Sequence, residues 1–192
     1  MSDVFNVIMT VLFVLTGFAV FRGGWYIVKQ QQAVIVQRFG KFQTIGRAGF
    51  NWKVPFIDTV AGRLSLKVQQ LDVNVETKTL DDVLVHLKVS VQYLVIRDQV
   101  DDAFYKLENP QTQITSYVFD VVRAEVPKMK LDEVFARKDD IAVAIKSELA
   151  EEMRKYGYDI VKALVTDSDP DQQVKIAMNR INAAEREKVA AQ

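Results

Sequence analysis

The chain has 192 residues, with 25 basic and 25 acidic side chains, one histidine and no cysteine. Disulfides, thiolate metal sites and cysteine nucleophiles are therefore excluded. Residues 1–57 carry six bases and one acid, so the remainder carries 19 bases and 24 acids, a net of −5, which leaves that part no basic face for nucleic acid.

Residues Val4–Phe21 form an 18-residue run without a charge. As a helix it would be about 27 Å long, close to the hydrocarbon thickness of a bilayer. Thr10 and Thr16 can return their hydroxyls to the helix's own carbonyls. A cleaved signal peptide would need a basic leading segment, and Met-Ser-Asp offers none. Residues 1–24 are therefore expected to be an uncleaved transmembrane anchor. Arg22, Lys29, Arg38, Lys41, Arg47 and Lys53 follow before the next acid, Asp58. That bias predicts a single-pass protein with its bulk in the cytoplasm. The same six cations suit a membrane surface of anionic headgroups; a solvated basic strand is the simpler alternative.

Gln32–Arg38 reads as a first strand, followed by turns at Gly40, Gly46 and Gly49. Phe50, Trp52, Val54, Pro55, Phe56 and Ile57 then crowd together. Two readings stand for them: a loop tucked into the core, or a wedge inserted in the membrane interface, where tryptophan is favoured. Pro55 argues against a central strand.

From Leu71 to Val95 apolar residues alternate with polar ones, broken by a turn at Leu80-Asp81-Asp82. Period two over that length predicts a long antiparallel hairpin with one dry and one wet face. Gln99–Leu107 is expected to be a short helix. Asn109-Pro110 should cap and open a second, which must end before Pro127. Leu131–Tyr156 reads as one helix stopped by Gly157, and Tyr158–Thr166 as a returning strand. Asp169-Pro170 reads as another helix start. Val174, Met178, Ile181, Glu185 and Arg186 follow at near-heptad spacing, so residues 169–192 are expected to begin a longer coiled-coil-forming helix that drives oligomerisation. An ordinary surface helix is the alternative.

No catalytic residues, metal ligands or cofactor site emerge. His86 lies on the wet face of the hairpin, the serines lack a nucleophile-elbow context, and the glycines lack the Lys-Ser/Thr of a phosphate loop. Nothing in the sequence requires an enzyme.

The segments QQQAVIVQRFGKF and VPFIDTVAGRLSLKVQQLDV together resemble the stomatin/prohibitin/flotillin superfamily, also called SPFH or band 7. DAFYKLENPQTQITSYVFDVVRAEVPKMKLDEVFARKDDIA and YGYDIVKALVTDSDPDQQVKIAMNRINAAERE are most similar to plant hypersensitive-induced-reaction proteins. Those plant proteins begin with an acylated Gly/Cys terminus, which this chain lacks, so lipidation is not carried over. The resemblance implies an α+β band-7 (SPFH) domain over residues 25–168, an antiparallel sheet packed by helices. It further implies a stomatin-like or prohibitin-like scaffold that forms homo-oligomeric rings or cages and organises membrane microdomains. Its partners would be itself, membrane lipids and integral membrane proteins, among them channels and proteases. A monomeric or dimeric tethered adaptor, presenting its C-terminal helix to one partner, is the alternative.

Overall fold

The computed structural model describes residues 2–170, and they form an α+β structure of two compact units. Residues 1–67 and 95–106 belong to the first, residues 68–94 and those from 107 onward to the second.

The first unit opens with α1 (Ser2–Gly23). Thr10 Oγ1 donates to the Asn6 carbonyl at 2.8 Å and Thr16 Oγ1 to the Leu12 carbonyl at 2.5 Å, the back-bonding an apolar environment favours. Residues 5–18, the described side chains of this helix, are all exposed. Among the described residues no helix is long and apolar enough to cross a membrane.

Two sheets follow. β1 (Trp25–Val28) pairs antiparallel with β4 (Gly49–Trp52), and a three-stranded sheet runs in the order β3 (Lys41–Gly46), β2 (Gln32–Arg38), β5 (Asp58–Ser65). The chain thus enters a strand before Gln32, and the stretch around Pro55 is two strands joined by a turn. Val28, Val34 and Val36 form the core here, with Tyr26 against them. Register slips by one residue opposite Val36/Gln37, leaving Gln43 bulged, and opposite Ile35/Val36, leaving Ala61 bulged. α2 (Val100–Tyr105) lays Phe104 over Gly62, so closely that a Cβ at Gly62 would strike the ring. Gly62→Val should therefore lower stability by about 2 kcal/mol through overpacking, read as a left-shifted urea midpoint with unchanged slope.

The second unit is built on the predicted hairpin. β6 (Gln69–Lys78) and β7 (Leu84–Val95) pair in unbroken register from Gln69↔Tyr93 to Lys78↔Leu84. Val73, Val75, Val85, Leu87, Val89 and Val91 are buried, as the alternation requires, and Ser90 is buried against it. β8 (Tyr158–Pro170) adds beside β7. The strand is longer than expected: Asp169 and Pro170 are extended, so no helix begins at Pro170. Residues 171–192, with Val174, Met178, Ile181, Glu185 and Arg186, lie outside the described residues.

α3 (Pro110–Glu125) starts where expected, with Thr112 N donating to Asn109 Oδ1 at 3.2 Å. It buries Ile114, Val118 and Val122, and packs on β6 and on α5 (Lys138–Arg154). The single helix expected over Leu131–Tyr156 is two, because the backbone leaves helical geometry at Arg137 (φ −112°, ψ 23°) between α4 (Leu131–Ala136) and α5. Asp139 and Asp140 then supply the acids a new helix start favours. Gly157 ends the run at φ 78°, a left-handed position suited to glycine. Asp81 Oδ1 accepts from Thr79 Oγ1 (2.6 Å) and Leu131 N (3.1 Å), tying the hairpin turn to the start of α4.

Candidate functional site

Outside α1, one end of the first unit gathers most of its exposed apolar surface. In the β1–β4 ribbon Trp25 stands opposite Trp52 and Ile27 opposite Phe50. Side chains two apart on a strand share a face, so these four lie on one side. All four are exposed, whereas the opposite side turns Val28 into the core. Trp25 and Phe50 stack with ring centroids 4.4 Å apart. The end of α1 meets this ribbon: Lys53 N donates to the Gly24 carbonyl at 2.7 Å. A Cβ on Gly24 would lie 2.5 Å from Trp52 Nε1, so the close approach requires glycine.

The ribbon leads into the turn that carries Phe56. Its side chain is 87% exposed and its backbone is left-handed at φ 67°. A non-glycine residue there costs on the order of 1 kcal/mol. The turn is closed by Asp58, whose side chain is buried. Arg38 Nε donates to Asp58 Oδ1 at 2.8 Å, Val54 N donates to Oδ2 at 2.8 Å, and Lys53 Nζ donates to the Asp58 carbonyl at 3.2 Å. The Arg38 guanidinium, then the Val54 amide, hold the Asp58 carboxyl below its ordinary range. A depressed carboxylate pKa contributes stability that is present above the ordinary value and lost as pH falls through the folded one. The difference in melting temperature between wild type and Asp58→Asn should thus be largest near neutrality and shrink below about pH 4. A pH series of thermal melts checks it.

Because Arg38 pairs with Asp58, the β2–β3 hairpin tip lies at this same end. Its two loop residues, Phe39 and Gly40, have φ 49° and 80°, the signature of a type I′ turn. Asparagine or glycine is the usual first residue there; here it is a phenylalanine 81% exposed. Two strained backbones thus hold two aromatic rings in solvent.

Of the residues expected to insert in a membrane, Phe50, Trp52, Phe56 and Ile57 are exposed here, while Val54 and Pro55 are half-buried. Trp25, Ile27 and Phe39 complete the patch and were not singled out in the sequence; an aromatic-glycine pair between two strand patterns was the available signal for Phe39. The six cations divide. Arg38, Lys41 and Lys53 are at the aromatic end, and Arg38 is engaged by Asp58. Lys29 and Arg47 flank the opposite end of the sheet, beyond Val28 and Gly46. The Arg22 side chain lies outside the described residues. His86 stands across from Glu76 at 3.9 Å, both exposed, an ordinary solvated pair.

Residues 26–192 match the SPFH domain / Band 7 family. The chain is 45% identical over 165 residues to hypersensitive-induced response protein 4 of Arabidopsis thaliana, covering 85% of this chain and 56% of that protein. It is 30% identical over 164 residues to the human mitochondrial stomatin-like protein 2, covering 85% of this chain and 46% of that protein. The chain spans about half the length of these curated relatives.

Proposed function

The chain belongs to the SPFH domain / Band 7 family, and on that premise we propose that it is a membrane-anchored, non-catalytic scaffold assembled from many copies of itself. The observation that carries the reading is the aromatic end of the first unit. Trp25, Ile27, Phe50, Trp52, Phe56 and Phe39 form an apolar surface continuous with the exit of α1. Exposed patches of this kind mark membrane or protein contacts, and tryptophan beside basic residues suits the headgroup level. In this reading the charge-free run Val4–Phe21, some of whose side chains lie outside the described residues, is the single-pass anchor, Lys41 and Lys53 reach anionic headgroups, and the bulk of the chain is cytoplasmic. Residues after Pro170 form a helix whose thin apolar stripe is covered by neighbouring copies, which closes a ring. Such a ring would confine lipids and integral membrane proteins, proteases or channels among them.

Light scattering on the detergent-extracted particle tests the assembly. A homogeneous mass of many chains is expected. A monomer or dimer would replace the scaffold with a tethered adaptor.

A further inference from the structure

At the end of the first unit away from Phe39 and Phe56, a cavity of about 780 Å³ lies along β3. That volume is in the range that holds a short peptide or a drug-sized molecule. β3 is an edge strand, paired only with β2 among the described residues, so one row of its amides and carbonyls is open to a further strand. Its bulged residue, Gln43, stands in the cavity wall, and bulges re-aim side chains beside functional sites.

The polar groups around the cavity are unbalanced. Gln32 lines it, and Gln32 Oε1 is buried with no hydrogen-bond donor. Arg47 and Arg97 supply two guanidinium groups against one carboxylate, Asp98. The contact drawn by Arg97 is a long one, Nη2 to Gln31 Oε1 at 3.4 Å. Gln31 is itself left-handed at φ 58°, a strained backbone of the kind stored at binding sites.

We propose that this cavity binds an extended acidic peptide segment, added beside β3, with its carboxylates on Arg47 and Arg97. A peptide meets both demands together. Its backbone pairs with the open strand edge, and its acids take the guanidinium groups in charge-assisted hydrogen bonds. A free anion would answer only the arginines. The inference does not depend on how the protein assembles.

The test uses the full chain in detergent micelles and a fluorescein-labelled Gly-Thr-Asp-Val-Asp amide, followed by anisotropy. Saturable binding is expected, with the Asn-for-Asp peptide at least about tenfold weaker because the ionic hydrogen bonds are lost. Arg47→Gln and Arg97→Gln should each weaken the acidic peptide several-fold, and Arg97→Lys less, at unchanged melting temperature. Equal affinity for the two peptides, or no binding at millimolar peptide, overturns the proposal. Displacement by inorganic phosphate at matched concentration would assign the cavity to free anions, and displacement by phosphatidylserine vesicles to a membrane. Should an arginine variant fail to fold, the comparison of the two peptides on wild type still decides.

Discussion

Replacing Trp52 and Phe56 together by serine, in a chain lacking residues 1–22, should lower its partition onto anionic liposomes by about thirtyfold, since withdrawing two aromatic side chains from an apolar phase forfeits roughly 2 kcal/mol even at partial insertion. The magnitude follows from exposure. Both rings already face solvent, so the substitutions remove little packing from the fold and the loss falls on the bound state. Removing residues 1–22 takes away the apolar helix that would otherwise dominate binding, and it leaves the Gly24 carbonyl in place for Lys53 N. Phe39→Ser added to the pair should weaken binding further, because the hairpin tip lies at the same end. Val143→Ser is the control: Val143 is equally exposed on α5 in the second unit, and its replacement should leave partition unchanged. Co-sedimentation across a lipid titration gives all four values. Unchanged binding by the Trp52/Phe56 variant would mean that the aromatic end serves some other contact.

The second large effect is on assembly. A chain ending at Pro170 should fall from a many-copy particle to one of a few chains in detergent. Val174, Met178 and Ile181 repeat at three- and four-residue spacing among Ala, Glu, Arg and Lys. A stripe that narrow is stable as a helix only when neighbours cover it. The exposed charge pairs along such a helix contribute little individually, about 0.2–1 kcal/mol each, so shorter truncations should reduce the mass in steps. A particle of full mass after the deletion would place the assembly contacts in residues 1–170.

The elements that were legible in the sequence are those with one apolar period and a capped end. The β6–β7 hairpin alternates so regularly that its buried face follows from residue number, with Ser90 the exception. Asn109-Pro110 and Gly157 punctuate α3 and α5 as their backbone chemistry dictates. β1 and β4 were obscured for a physical reason. Trp25 and Ile27 face out and Tyr26 and Val28 face in, so both sides of β1 are apolar and no period appears; Gly49–Trp52 is equally short. The break at Arg137 has neither glycine nor proline, and only the acid pair Asp139-Asp140 hints at it. At the candidate site the apolar cluster around Trp52 and Phe56 could be read from composition. Phe39 is marked only by its pairing with Gly40 between two strand patterns, because its prominence comes from a type I′ turn that phenylalanine disfavours. Charge counting placed six cations together; strand order separates them, and the Asp58 clasp engages Arg38. Those facts are tertiary, and a one-dimensional pattern does not hold them.

Trp25 and Trp52 are the only tryptophans in the chain, and both belong to the aromatic end. The most direct test of the account is therefore their quenching by lipids brominated at graded depths, in the full chain reconstituted into vesicles. Blue-shifted emission quenched most by bromines near the headgroup, with little quenching by aqueous iodide, is the predicted result. Water-like emission quenched by iodide and indifferent to every brominated lipid would contradict it.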